Sequence, residues 1–312
     1  MIIALSGGVG GAKLALGLSR ILPPEDLLVV VNTGDDFEHL GLSISPDIDT
    51  VMYTLSGLAN REVGWGRADE TWSCMETLAE IGGDTWFRLG DRDLAVHIER
   101  TRRLRAGETL SAITDDLCKR LGVAPRVLPM SNDPVRTRLL TPTGWLDFQE
   151  YFVRNRCEPK VLELDFHGAL KARPHPDFIA ALQDMRLEAV VICPSNPFIS
   201  VEPILAIPGV RDALAGCAAP VIAVSPIIAG RAVKGPTAKM MTELGLDPTA
   251  GNVAQRYRDL LDGYVIDHAD MAEVVSIDAK VTLAQTLMTT IEDREALAKT
   301  VLDAATVLRR RR

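Results

Sequence analysis

The sequence predicts an α/β fold: a Rossmann-like, mostly parallel sheet with helices on both faces, a helical insertion and a small antiparallel extension. Three observations lead there. Short β-rich apolar runs recur, each followed by small or polar residues and then by helical spacing, the pattern of strands buried on both sheet faces. A glycine-rich loop stands directly between the first such run and the first helical pattern. From about Arg67 to Gly122 the chain turns helix-rich and dense in Arg, Asp and Glu, so a block of helices interrupts the alternation.

Ile2–Ser6 is the first expected strand, and Ala12–Ile21, with apolar residues at helical spacing, is the helix that follows it. Leu27–Asn32 is the second strand. After the helical block, Arg126–Pro129 reads as a strand, and the alternation in Arg136–Leu140, Leu146–Val153 and Val161–Phe166 predicts antiparallel strands at a sheet edge. Ala189–Pro194 and Val221–Pro226 return to the buried type. Ala238–Leu244, Val253–Leu261 and Leu283–Val307 look helical, the last as a long closing helix. The expected division is 1–66 as the first part of a nucleotide-binding core, 67–170 as helical lid and antiparallel extension, and 171–312 as the rest of the core.

With 312 residues, 47% hydrophobic and 24% charged, the chain has the size and composition of a packed globular enzyme. A formal charge of −8 weighs against a nucleic-acid partner, because neutralising phosphates takes a basic excess. No stretch is long and apolar enough to span a bilayer, and Met1–Leu5 reads as a strand rather than a signal peptide. Cys74, Cys118, Cys157, Cys193 and Cys217, odd in number and scattered, fit reduced thiols and a cytoplasmic location. The terminal Arg309–Arg312 is expected to be a solvated helix end complementing its own dipole.

Ser6–Lys13 carries the first chemistry. Gly7, Gly8, Gly10 and Gly11 let backbone amides turn inward, and the following helix start adds its positive end, so the unit suits phosphate with Lys13 beside it. Leu14 stands where a Walker loop needs Ser or Thr, and the spacing is not G-x-G-x-x-G, so ATPase and dehydrogenase readings lose ground. Asn32–Asp36 and Ser45–Thr50 cluster carboxylates at a strand end, where magnesium could meet a diphosphate; turn and helix capping by Asp is the alternative. In Cys193–Pro197 two prolines stiffen a loop presenting Ser195 and Asn196, which can both donate and accept. Trp86–Asp93 combines aromatic surface with Arg88. The five histidines form no metal-spaced pair, and none is nominated as a base.

Taken in order, Gly7–Lys13, Asn32–Asp36, Ser45–Thr50, Trp86–Asp93, Phe148–Val153 and Cys193–Pro197 closely resemble the 2-phospho-L-lactate transferase (CofD-like) family of coenzyme F-420 biosynthesis. The resemblance implies a magnesium-dependent, usually homodimeric enzyme. Its donor would be a guanylylated three-carbon acid, lactyl-2-diphospho-5'-guanosine or its enolpyruvyl analogue. The phospho-acid would pass to the ribityl hydroxyl of 7,8-didemethyl-8-hydroxy-5-deazariboflavin (FO), with release of GMP. By the same resemblance Asp49 and Arg88 contact FO, on a side formed by 67–170; many relatives carry Lys at the latter position, so Arg88 keeps the charge and changes the geometry. The roles expected are diphosphate binding by the glycine loop and Lys13, magnesium binding by Asp36 and Asp49, orientation of the alcohol by Asp49, and guanosine recognition by Ser195 and Asn196. Phospholactate, phosphoenolpyruvate and 3-phosphoglycerate all stay open as the acid. The alternative is a non-catalytic nucleotide-sugar-binding regulator, which would need the sheet and the loop but not the FO contacts.

Overall fold

Strands rich in Val, Ile and Leu build the centre of the molecule, seen in a computed structural model that describes residues 1–60 and 64–309. Seven of them form one sheet: β1 (Ile2–Ser6), β2 (Leu27–Val31), β3 (Arg126–Pro129), β4 (Ala189–Ile192), β5 (Val221–Val224), β6 (Gly263–Asp267) and β7 (Lys280–Ala284). All neighbouring pairs run parallel, in the order β7-β6-β5-β4-β1-β2-β3. Side chains alternate across the sheet: Ile3, Leu5 and Val30 enter one core, while Ile2, Ala4, Val29 and Val31 enter the other. Both faces therefore need helical cover.

Helix α1 (Gly8–Ile21) follows β1 and packs against the closing helix Ile291–Arg309, whose Arg294 carbonyl leaves no room for a Cβ at Gly17. Between β2 and β3 lie, among the described residues, a short hairpin, Phe37–His39 with Leu42–Ile44, and four helices: α2 (Pro46–Leu55), α3 (Ser73–Glu80), α4 (Asp91–Arg105) and α5 (Leu110–Arg120). Arg136–Thr141 pairs antiparallel with Gly144–Asp147 and Glu163–His167 as a separate small sheet. The expected block 67–170 thus contains β3, a strand of the main sheet.

Two expected elements change type. Leu146–Val153 is strand only to Asp147 and then forms a wide helical turn at Glu150–Arg154, because its apolar positions have helical spacing: Phe148 and Tyr151 are buried, and Phe152 stacks on Phe148 at 5.3 Å. The expected helix Leu283–Val307 begins only at Ile291. Leu283 and Ala284 belong to β7, paired with β6, and Asp293 caps the helix start by accepting from the Thr289 and Thr290 amides at 2.9 and 2.8 Å. Arg309 ends that helix 3.6 Å from Glu188, and Arg310–Arg312 lie outside the described residues. No helix among the described residues is long and apolar enough to cross a membrane.

Candidate active site

The chain leaves β1 toward β2 and leaves β4 toward β5, in opposite directions across the sheet, so a crevice opens where the carboxyl ends of β1 and β4 meet. A cavity of about 670 Å³ lies there. Gly7, Gly8, Gly10 and Lys13 border it from β1, and Ser195 and Asn196 from β4. Asp49 borders it from α2, and Arg88 from the loop before α4. Gly11 and Asp36 do not reach its wall.

The glycine loop is held in place by its neighbours. Gly8 has φ of +63°, a left-handed conformation in which a side chain is strained. A Cβ at Gly10 would sit 2.1 Å from the Pro194 carbonyl oxygen, and one at Gly11 2.6 Å from Ser195 Oγ, so both glycines let α1 close onto the loop after β4. Ser195 Oγ donates to the Gly7 carbonyl at 2.7 Å and accepts from the Gly7 amide at 3.2 Å. Asn196 Oδ1 accepts from the Phe198 amide at 2.9 Å, and its Nδ2 lies 3.8 Å from Met240 Sδ. Of these two side chains, expected as guanosine readers, Ser195 clamps the glycine loop and Asn196 caps the turn that follows it. The Gly8 amide donates to Asp47 Oδ1 at 2.7 Å, which leaves the first-turn amides of Val9 and Gly10 for an anion.

Lys13 reaches the Met288 carbonyl at 2.8 Å. Burial lowers its pKa, and the charges of Arg294 and Lys234 lower it further. Cations converging beside a helix N-terminus suit a polyanion.

The carboxylates divide into two groups because Asp47 and Asp49, two apart on α2, point about 200° apart around the helix. Asp47 faces the glycine loop. Its Oδ2 accepts from Asn32 Nδ2 at 2.9 Å, and burial pushes its carboxyl up to about 6 against the Asn32 and Gly8 hydrogen bonds. Asp35 lies on the same wall, 6% exposed, with Oδ1 unpartnered; burial and then the charge of Asp47 raise its pKa. Neither has a cationic partner among the described residues. Asp36 is buried behind them, accepting from Ser45 Oγ at 2.9 Å, and burial raises it to about 7 despite the opposing charge of Arg136. Two buried carboxylates on the wall, one with an orphaned oxygen, fit a divalent cation.

Asp49 faces the inserted helices instead. Arg100, fully buried on α4, donates from Nη1 to Asp49 Oδ2 at 3.0 Å and from Nη2 to Oδ1. The same Nη1 lies 3.1 Å from His97 Nδ1. Tyr53 donates its hydroxyl to Asp93 Oδ1 at 2.6 Å. Asp49, Asp93 and His97 could be taken for a metal-ligand set, their ligand atoms lying within 4.8 Å of one another. However, a guanidinium only donates, so His97 Nδ1 accepts and the ring's proton sits on Nε2, which removes the lone pair a metal needs. Exposed Arg88 stacks over Trp72 at 4.4 Å, and Phe87, Phe148 and Phe152 line the apolar part of this side.

Sequence reasoning named Asp35, Asp47 and Asp93 only as members of motifs, and it passed over His97 and Arg100. The available signal was helical spacing on α4: Asp93 and His97 at i and i+4, and Arg100 three further on, share one face.

The model of the family described as 2-phospho-L-lactate transferase CofD matches residues 2–307. A phosphoenolpyruvate transferase of Streptomyces griseus is 41% identical, over 99% of each chain. A 2-phospho-L-lactate transferase of Methanosarcina mazei is 39% identical over 97% of this chain and 100% of its own. Among solved structures, a UPF0052-family protein of Bacillus halodurans superposes with a TM-score of 0.65 at 14% identity, covering 96% of this chain and 98% of its own, a likeness of fold.

Proposed function

Since the chain belongs to the CofD family and is a transferase of coenzyme F-420 biosynthesis, we propose that it moves a phosphorylated three-carbon acid from a guanosine diphosphate-linked donor to the ribityl hydroxyl of FO. The single observation that carries this reading is one cavity with two unlike ends: glycine amides, Lys13 and buried carboxylates at one, and aromatic rings with Asp49 and Arg88 at the other. The first end suits a diphosphate, the second a planar, hydroxyl-bearing acceptor.

In this reading the acceptor oxygen attacks the phosphorus that carries the acid. A P–O bond to the acceptor forms, the P–O bond of the diphosphate bridge breaks, GMP leaves with the bridging oxygen, and the hydroxyl proton passes to solvent. Such a transfer needs positioning and charge neutralisation more than a protein nucleophile. The Val9 and Gly10 amides and Lys13 hold the diphosphate, while Ser195 keeps the loop in place and, with Asn196, borders the nucleoside. Asp35 and Asp47 would hold magnesium, which supplies neutralisation of the phosphate charge. The Arg100 guanidinium already neutralises Asp49, whereas Asp35 and Asp47 have no cationic partner among the described residues, and Asp36 lies off the wall, so the proposal takes Asp35 and Asp47 in place of the expected pair Asp36 and Asp49.

The relatives named for phosphoenolpyruvate and for phospholactate are 41% and 39% identical, so the proposal commits to the three-carbon class and not to one acid. By family resemblance the protein works as a homodimer, and its scattered thiols fit a cytoplasmic location. Whole-chain similarity to named transferases sets aside the regulator reading. The test is incubation of the purified chain with FO, Mg²⁺ and each guanylylated acid, followed by mass spectrometry. A product heavier than FO by the phospho-acid, together with GMP, is expected; FO returned unchanged with all three acids contradicts the proposal.

A further inference from the structure

We infer that Asp93 and His97, with Asp49, form a hydroxyl-binding subsite at the acceptor end of the cavity, and that Arg100 is the residue that positions it. The inference rests on the proposed function, because the hydroxyls it would take are those of the acceptor's ribityl chain. His97 is 1% exposed yet borders the cavity, and its Nε2 is a buried donor with no formed hydrogen bond. It lies 3.3 Å from Asp93 Oδ2 but out of line with it. An orphaned buried donor is costly unless a ligand satisfies it. Asp93 stands beside it, and Asp49 lies 3.7 Å from the other ring nitrogen, Nδ1; each carboxylate is fixed by a donor of the protein.

A polyol hydroxyl both donates and accepts, so one hydroxyl can accept from His97 Nε2–H while it or its neighbour donates to Asp93 or Asp49. Arg100 sets this pattern. Its fork fixes both oxygens of Asp49, and its Nη1, by donating to Nδ1, keeps the proton of His97 on the cavity side. Exchange of that tautomer would turn a lone pair toward the two carboxylates, and the pattern would no longer match a hydroxyl.

The test uses the full-length chain, the intrinsic fluorescence of FO, and the variants H97L, H97Q and D93N. Glutamine places an amide N–H near the position of Nε2, so it serves as the conservative replacement. H97L is expected to raise the Kd and KM for FO about tenfold, with GDP affinity within about twofold of wild type and kcat changed less than KM. H97Q is expected to recover FO binding to within about threefold. Should H97L not fold, D93N decides, with the same tenfold loss of FO affinity and GDP binding retained. A wild-type chain that binds no FO overturns the proposed function and this subsite with it. Wild-type binding that H97L or D93N leaves unchanged, or a GDP affinity that falls in step with FO affinity, overturns the subsite alone.

Discussion

Asp47 and Asp36 keep carboxyls in places where burial favours the neutral acid, at about 6 and about 7. An unfolded carboxyl ionises near pH 4. Between those values the unfolded chain has already lost protons that the fold retains, so these two groups make stability fall as pH rises from roughly 4 to 7. A divalent cation binds the ionised form, and its own stabilisation must therefore grow over the same window. Thermal unfolding with and without Mg²⁺ should show a small shift at about pH 5 and one of several degrees at about pH 8; a larger shift at the lower pH contradicts the assignment. Asp47→Asn keeps an acceptor for the Gly8 amide and removes the buried charge. Its amide nitrogen then meets the donating Asn32 Nδ2, so denaturant unfolding without metal at pH 7.5 should show no gain in stability, while kcat falls about 100-fold. At this scale the sequence was half legible. It located four carboxylates in two short motifs, but which of them face the cavity depends on a turn at Thr33–Asp36, closed by the Asp36 amide donating to the Thr33 carbonyl at 3.2 Å, and on the 200° separation within α2. Neither is visible in composition or spacing of the motifs alone.

Between elements, two contacts should dominate. Helix α1 sits on the loop after β4 with no space at Gly10, so Gly10→Ala must push them apart, at about 1–3 kcal/mol. Because the same contact sets the loop's amides, GDP affinity measured by calorimetry should drop at least about tenfold; retained affinity would mean the amides do not hold the diphosphate. The second contact joins α2 to α4 through Asp49 and Arg100. Arg100→Met leaves the buried carboxylate without its partner and should cost about 3–5 kcal/mol in urea unfolding. The strands flanking the site were legible because β1, β2, β4 and β5 are buried on both faces and read as continuous apolar runs. β6 and β7 were not. Gly263–Asp267 mixes Gly, Tyr and Asp, and Lys280–Ala284, at the sheet edge, starts with an exposed Lys and joins smoothly onto apolar residues that suggest a helix. Only pairing in the sheet identifies them.

Across the whole molecule, function follows from where the strand order reverses. The reversal between β1 and β4 opens the crevice, the glycine loop and Lys13 furnish its anion end, and α2 and α4, inserted between β2 and β3, help furnish the wall opposite. A sequence reading could place the loop and the insertion but not bring them together, since residues about 90 apart, such as Gly8 and His97, border one cavity only through the folded sheet. The most direct test of this account is a crystal structure with GDP and Mn²⁺ in place of Mg²⁺, with the metal located by its anomalous signal. The account predicts a peak between Asp35 and Asp47 and the diphosphate on the amides of Val9 and Gly10 beside Lys13. A peak among Asp49, Asp93 and His97, or a diphosphate away from the glycine loop, would contradict it.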